Sequence, residues 1–154
     1  MSHIEQELSR LNMSISDAAA PVGTYVGYTR SGNTVYVSGQ LPLVEGAIAV
    51  TGQLGDGVTI DDGYRAAQIC ALNLLAQVKV ACDGDLGRVV RVVKLGGFVS
   101  AVPSFTDAPK CINGASDLMV ELFGEAGRHA RFAVGVASLP GGAAVEIDGV
   151  FEIK

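Results

Sequence analysis

The chain has 154 residues, of which 49% are hydrophobic and 18% charged, and its mean hydropathy is +0.37, so it suits one folded domain and is too apolar for a disordered chain. No apolar run reaches the ~18 residues that a membrane-spanning helix needs, so we expect no membrane partner. The 11 basic against 16 acidic residues give a net charge of -5, which argues against a nucleic-acid partner because a phosphate backbone would be repelled.

The N-terminus predicts a short amphipathic helix. Ile4, Leu8 and Leu11 recur at i, i+4 and i+7, on one helical face that needs a surface to pack on. We assign residues 1–22 to an N-terminal helical extension and residues 23–154 to the main domain. The extension has scattered charges and lacks the apolar stretch of a signal peptide, so we expect the protein to be cytoplasmic.

Two strands joined by a tight turn are predicted next. The strands span residues 25–30 and 34–38, and in the second one Val35 and Val37 alternate with polar side chains. The stretch that follows is rich in glycine and broken by Pro42. It predicts a loop with one short strand at 47–51.

Two helices and a strand make up the middle of the chain. Apolar residues recur at spacings of three and four over 60–82, after a capping box formed by Thr59 and Asp62. Residues 86–95 are rich in valine and predict a strand that kinks at Gly96-Gly97 before continuing over 98–101. A second helix is predicted over 108–123, with Asp107 as its N-cap.

Two strands, at 130–139 and 143–153, are predicted to close the chain as a hairpin around Pro140-Gly141-Gly142. The whole order predicts an α+β fold, a six-stranded mixed sheet with two helices on one face. Two helices cannot cover both faces of such a sheet. Because the last strands place apolar residues on both faces, we expect the second face to meet another subunit.

The cysteine and histidine content argues against a metal centre or a disulfide framework. Cys70, Cys82 and Cys111 are an odd number without a CxxC pair, and His3 and His129 are the only imidazoles. We therefore expect no metal and no cofactor.

Arg131 is the residue that core packing explains least. It lies in a strand of Phe, Ala, Val and Gly, in phase with Ala133 and Gly135, so its guanidinium points over small side chains. Its planar fork suits a carboxylate ligand bound through two hydrogen bonds. The alternative is a structural ion pair at an interface.

Glu146 and Asp148 share a face of the last strand and are candidate general bases, although a solvated outward position explains Asp148 equally well. If the terminal hairpin turns at Gly141, Glu146 lies opposite Val136, roughly 17 Å from Arg131 along the strands. One chain would then not bring both side chains into a small pocket. If they cooperate, they come from adjacent subunits.

Several segments together resemble the YjgF/RidA family, the reactive-intermediate deaminases. They run in order along the chain: Gly23-Thr24-Tyr25-Val26, Val37-Ser38-Gly39-Gln40-Leu41-Pro42, Phe98-Val99, Asn113, Ala130-Arg131, Ser138-Leu139-Pro140 and Val145-Glu146-Ile147. Gly127-Arg128-His129 and the run after Asn113 look more like the branch described as YjgF/chorismate-mutase-like, putative endoribonuclease.

The resemblance implies a chorismate-mutase-like fold and a homotrimer with pockets between subunits. It also implies hydrolysis of enamine or imine intermediates such as 2-aminoacrylate to a 2-keto acid and ammonia, without metal or cofactor. By resemblance, Arg131 would hold the substrate carboxylate and Glu146 would position the attacking water. Three further residues would line the pocket: Tyr25, Ser38 and Asn113.

Two residues depart from the pattern of the deaminases. Ala133 stands where a cysteine is frequent, and His129 replaces a proline before the Ala-Arg pair. His129 is thus either a substrate-binding group that acts as acid or base near neutral pH, or an exposed histidine at a strand start.

Three functions follow from these residues. The leading one is an imine or enamine deaminase acting on a small carboxylate. The second is a non-catalytic trimer that binds or senses small carboxylates. The third is an endoribonuclease, against which the acidic charge and the lack of a basic surface with stacking aromatics both argue.

Overall fold

Two long helices lie on one face of a mixed sheet in the computed structural model, which describes residues 2–154. The helices are α1 (His3–Arg10), α2 (Ile60–Ala81) and α3 (Ala108–Phe123). Nine strands are described, four of them only two residues long: β1 (Tyr28–Ser31), β2 (Thr34–Gln40), β3 (Leu43–Val44), β4 (Ala47–Ile48), β5 (Gln53–Leu54), β6 (Gly57–Val58), β7 (Val89–Ser100), β8 (Ala130–Val136) and β9 (Val145–Ile153).

The main sheet has five strands within residues 2–154, in the order β1-β2-β9-β7-β8, so the predicted six-stranded sheet is wrong in its strand count. The pair β7/β8 is parallel and the other pairs are antiparallel. The four short strands form two separate ribbons. Glycines with positive φ at Gly46, Gly52 and Gly55 turn this stretch too often for a strand long enough to join the main sheet.

The predicted terminal hairpin is also wrong. Strand β8 pairs in parallel with β7, and β9 lies between β2 and β7, so β8 and β9 are not neighbours. The chain β7-α3-β8 is a crossover unit, which joins parallel strands through a helix. A Pro-Gly-Gly turn is compatible with either connection, because local sequence does not say which strand is the partner.

Strand β7 runs without a break through Gly96-Gly97, where a kink was predicted. Its irregularities lie earlier, between Val89 and Arg91 and between Val92 and Lys94. The two glycines instead permit close packing. A Cβ at Gly97 would lie 2.6 Å from Ile112 of α3, and one at Gly96 would lie 2.3 Å from the Asp148 carboxylate.

Both long helices match their predicted positions. The capping box of α2 is present, with Thr59 and Asp62 exchanging hydrogen bonds of 3.1 Å. Asp107 stands at the predicted N-cap of α3 but makes no side-chain capping bond. The two helices approach closely at Gly114, where a Cβ would lie 2.1 Å from the Tyr64 carbonyl oxygen.

The N-terminal helix docks on the helical layer, as its apolar face requires. Ile4 and Leu8 are buried in the hydrophobic core. Lys79 of α2 forms an ion pair of 3.1 Å with Glu5, and Arg10 forms an ion pair with Glu121 of α3. Helix α1 therefore packs on the core of this chain.

The helices leave the opposite face of the sheet uncovered. Large apolar side chains are exposed on it, with Tyr36 50%, Phe132 37% and Val134 44% accessible. Phe98 packs its edge against the Phe132 ring at 5.2 Å. Within residues 2–154, every helix is too short or too polar to cross a bilayer.

Candidate functional site

Arg131 faces the helices. It pairs in register with Leu95 of β7, which is fully buried under the helical layer, so both side chains point to that side of the sheet. Its Nη1 donates to Ser116 Oγ at 3.0 Å and its Nη2 makes a long contact of 3.4 Å with the Pro109 carbonyl. Arg131 takes part in none of the ion pairs found in the described part of the chain.

His129 lies next to this arginine. Its Nδ1 is 2.6 Å from the Gly127 carbonyl and its Nε2 is 2.8 Å from Ser116 Oγ. Burial is the main cause that lowers the pKa of His129. The hydrogen bond to the Gly127 carbonyl opposes it less strongly, and the charge of Arg131 lowers the pKa by the smallest of the three effects. The ring is half-buried and hydrogen-bonded at both nitrogens, so it is not an exposed histidine.

Asn113 lies on the same side of α3 as these groups. It follows Pro109 by four residues and precedes Ser116 by three, which places all three on one stripe of the helix. We call Arg131, His129, Ser116 and Asn113 the arginine cluster. Ser116 is not among the site residues predicted from the sequence. Its position three residues after Asn113 places it on the same helical stripe and could have indicated it.

Glu146 lies on the other face of the sheet. Its neighbours Val145 and Ile147 are fully buried under the helices, so alternation turns Glu146 to the uncovered side. A Cβ at Gly39 would lie 2.6 Å from Glu146 Oε2, which shows how closely this carboxylate approaches β2. Burial, and then the charge of Asp148, raise the pKa of Glu146.

Ser38 lies in β2 and Tyr25 just before β1, away from the β8 strand of Arg131. Ser38 Oγ donates to the Val26 carbonyl at 2.7 Å, beside an irregularity in β2 between Val37 and Gln40. Tyr25 is 52% exposed and borders a small cavity of about 70 Å³ that Gly39 also lines. We call Tyr25, Ser38 and Glu146 the glutamate cluster.

The two clusters do not meet within one chain. Arg131 aligns with Leu95, and Leu95 aligns with Gly149, three residues from Glu146 and two strands from Arg131. Standard sheet spacings put the two Cα atoms roughly 14 Å apart, with the side chains on opposite faces. The sequence-based separation rested on a hairpin that does not exist, but the two side chains remain apart in the observed topology.

No group of three His, Cys, Asp or Glu side chains in residues 2–154 is arranged to hold a metal ion. The three cysteines are free and buried. Burial raises the pKa of the Cys70 thiol well above its ordinary value and that of Cys111 to about 11, so neither is a ready nucleophile.

Comparison with known proteins identifies relatives that are similar over most of the chain. The model of the family described as YjgF/chorismate mutase-like, putative endoribonuclease matches residues 5–145. Protein TCP17 of Trypanosoma cruzi is 50% identical over 152 residues, 98% of this chain and 94% of that protein. A 2-iminobutanoate/2-iminopropanoate deaminase of Dermatophagoides farinae is 31% identical over 137 residues, 89% of this chain and 91% of that protein.

The fold agrees with these matches. The crystal structure of Atu1372, a protein of unknown function from Agrobacterium tumefaciens, has a TM-score of 0.93 to this chain at 52% identity, over 99% of this chain and 93% of that one. The α+β architecture is thus shared with a solved structure that is similar over nearly the whole chain. The chain belongs to the YjgF/RidA family.

Proposed function

We propose that the protein is an imine deaminase that hydrolyses a small 2-imino or 2-enamino carboxylate, such as 2-aminoacrylate, to a 2-keto acid and ammonia. The observation that carries the proposal is Arg131, a cation without an acidic partner in the described chain, whose guanidinium is hydrogen-bonded to Ser116 of α3. The similarity to a 2-iminobutanoate/2-iminopropanoate deaminase supports it.

The first step is capture of the substrate. The guanidinium of Arg131 holds the carboxylate through parallel hydrogen bonds, which fixes the position of the adjacent imine carbon. An imine is already electrophilic, so positioning supplies most of what the reaction needs.

The second step is hydration. Glu146, in its ionised form, takes a proton from a water molecule as the water oxygen bonds to the carbon of the protonated imine, which gives a neutral carbinolamine. Glu146 then returns that proton to the amino group. The C–N bond breaks, ammonia leaves with its electron pair, and the C=O bond forms as the hydroxyl proton passes back to Glu146. A raised pKa suits a carboxyl that must both accept and return a proton.

The third part of the proposal is a homotrimer. The arginine and glutamate clusters lie on opposite faces of one sheet, so a shared pocket requires two chains. The apolar side chains on the uncovered face support such an assembly, because a monomer would leave them in water. The small imine or keto acid is then the ligand at the interface.

Arg131→Ala tests the proposal directly. We expect kcat/KM for 2-keto acid formation from enzymatically generated 2-aminoacrylate to fall by about 100-fold or more, because the bidentate carboxylate contact is lost. Arg128→Ala is the matched control, since Arg128 is an exposed arginine paired with Glu125. Unchanged turnover in Arg131→Ala would contradict the proposal.

The second candidate is a trimer that binds small carboxylates without turnover. Ala133, which lies on the same strand face as Arg131 where deaminases often carry cysteine, favours it. The two candidates differ in catalysis. A binding protein would still bind pyruvate but would not catalyse the release of ammonia from 2-aminoacrylate.

A further inference from the structure

Three side chains next to the proposed carboxylate site form one continuous hydrogen-bonded relay. Arg131 Nη1 donates to Ser116 Oγ at 3.0 Å. Ser116 Oγ lies 2.8 Å from His129 Nε2, and His129 Nδ1 lies 2.6 Å from the Gly127 carbonyl oxygen. The relay joins β8, α3 and the turn before β8.

Hydrogen-bonding capacity fixes the direction of the relay. A carbonyl oxygen only accepts, so His129 Nδ1 carries the proton. In the neutral ring Nε2 is then an acceptor, and the Ser116 hydroxyl hydrogen points to it. This leaves the Ser116 lone pairs for the Arg131 N–H, which has no alternative direction because guanidinium only donates.

We propose that Ser116 and His129 are positioning residues that fix the guanidinium of Arg131 for the substrate carboxylate, and that protonation of the His129 ring disrupts this arrangement. The inference rests on the proposed function, since it assigns a task to the carboxylate-binding arginine. Neither residue touches the substrate, so neither is a catalytic residue.

The geometry explains why the relay leaves Arg131 competent to bind. One Nη1 hydrogen goes to Ser116, and the long Nη2 contact with Pro109 is weak at 3.4 Å. The remaining donors of the fork are available for two parallel bonds to a carboxylate. Without Ser116 the long arginine side chain would sample other rotamers, and binding would have to order it.

Protonation of the His129 ring reverses the direction of the hydrogen bond between Ser116 and His129. Protonated His129 donates from Nε2 to Ser116 Oγ, so the serine hydroxyl hydrogen rotates away from the ring and two cations donate to one hydroxyl oxygen. Arg131 is the charged group whose field acts on the ring. The other charged groups nearby on neighbouring elements have partners of their own: Asp117 with Tyr64, Glu125 with Arg128, Lys110 with Asp107, and Lys94 over the Phe132 ring.

The first experiment measures pyruvate affinity by calorimetry in the full-length protein between mildly acidic and mildly alkaline pH. Pyruvate stays ionised over this range, so changes in affinity report on the protein. We expect Ser116→Ala to weaken binding by about tenfold at neutral pH, and Ser116→Thr, which keeps the hydroxyl, to restore most of it. Ser9→Ala, on the exposed face of α1, is the matched control.

The second variant separates orientation from titration. The amide oxygen of His129→Gln replaces Nε2 as the acceptor for Ser116 but cannot be protonated. We expect this variant to bind pyruvate nearly as well as the wild type at neutral pH and to lose the weakening that the wild type shows in acid. The same acid weakening in His129→Gln would overturn the role of the ring.

Long-range ¹H–¹⁵N spectra of the imidazoles give a readout that needs no ligand. The chain has two histidines, so His3→Gln leaves the His129 signals alone. We expect the neutral Nδ1–H tautomer at pH 7, and a higher His129 pKa in Arg131→Ala because a positive neighbour is removed. An Nε2–H tautomer overturns the relay.

The outcomes distinguish the two claims. If the wild type binds pyruvate and Ser116→Ala binds it equally well, the relay is overturned and the proposed function stands. If the wild type binds no 2-keto acid, the proposed function fails, and the tautomer and pKa of His129 still decide whether the relay exists.

Discussion

Asp148 lies on the uncovered face of the sheet, in surroundings that disfavour its ionised form. Its carboxylate crowds Gly96 and the edge of Phe132, where a Cβ on Gly96 would meet both. Burial raises the pKa of Asp148 above 3.8, while a backbone bond to Gly96 and the charge of Lys94 act in the opposite direction. The ionised form of Asp148 is therefore less stable, relative to the protonated form, in the folded protein than in the unfolded chain.

The sign of the pH effect follows from that shift. A carboxyl with a raised pKa binds more protons when folded, so its contribution to stability is present below pH 3.8 and is lost as the pH rises through the folded value. We expect Asp148→Asn to raise the Tm at neutral pH by about 1–2 °C, a small effect because the carboxylate is partly solvated, and to leave it unchanged below pH 3.8.

Thermal melts at the two pH values check this expectation, with Asp56→Asn in an exposed loop as the matched control. A lower Tm for Asp148→Asn at neutral pH would mean that the charge is stabilising, and would contradict the assignment.

Individual site residues were predictable to different degrees. Arg131 stood out because a charge among small apolar residues in a strand has few explanations. Ser116 was missed because a serine in a helix is unremarkable until the strand beside it is known. Glu146 is a candidate from the sequence, but which face of the sheet it occupies relative to Arg131 depends on the strand order, which local sequence does not determine.

At the level of elements, α2 and α3 were predicted closely and the sheet was not. Their apolar residues repeat every three to four positions, which a sequence states directly. The partner of a strand is set by contacts far along the chain, so β8 was paired with β9 although it lies against β7. The prediction of a sixth strand in the sheet was wrong for a local reason. Glycines with positive φ turn the chain over β3–β6, which therefore form two short ribbons.

The contact between α2 and α3 gives a prediction for Gly114. Gly→Ala inside a helix normally stabilises by up to about 1 kcal/mol. Here the added Cβ would lie 2.1 Å from the Tyr64 carbonyl oxygen, a backbone atom that cannot rotate away. We expect Gly114→Ala to lower the free energy of unfolding by about 1–3 kcal/mol, because the helices must move apart.

Urea denaturation measures that change. Ser9→Ala, also a small substitution in a helix but on its exposed face, should leave stability nearly unchanged or slightly raised. If Gly114→Ala were as stable as the wild type, α2 and α3 would not be packed as tightly as their contact indicates.

At the scale of the whole molecule, the hydrophobic content and the two clusters point to the same assembly. The helices cover one face of the sheet, and Tyr36, Phe132 and Val134 remain exposed on the other. The arginine cluster lies at the β8 edge under α3, and the glutamate cluster lies across the sheet near β2. In the homotrimer that we propose, a ring of identical chains would bring the arginine cluster of each subunit against the glutamate cluster of its neighbour.

Mixing two inactive variants tests this shared site most directly. Arg131→Ala and Glu146→Gln each remove one half of the site, and each homotrimer should be nearly inactive. When equal amounts are unfolded together and refolded, random assembly into a cyclic trimer gives about a quarter of the sites an intact Arg131 and an intact Glu146. We expect the mixed sample to recover about a quarter of wild-type deaminase activity. Activity no higher than that of the separate variants, in a sample shown to contain mixed trimers, would contradict it.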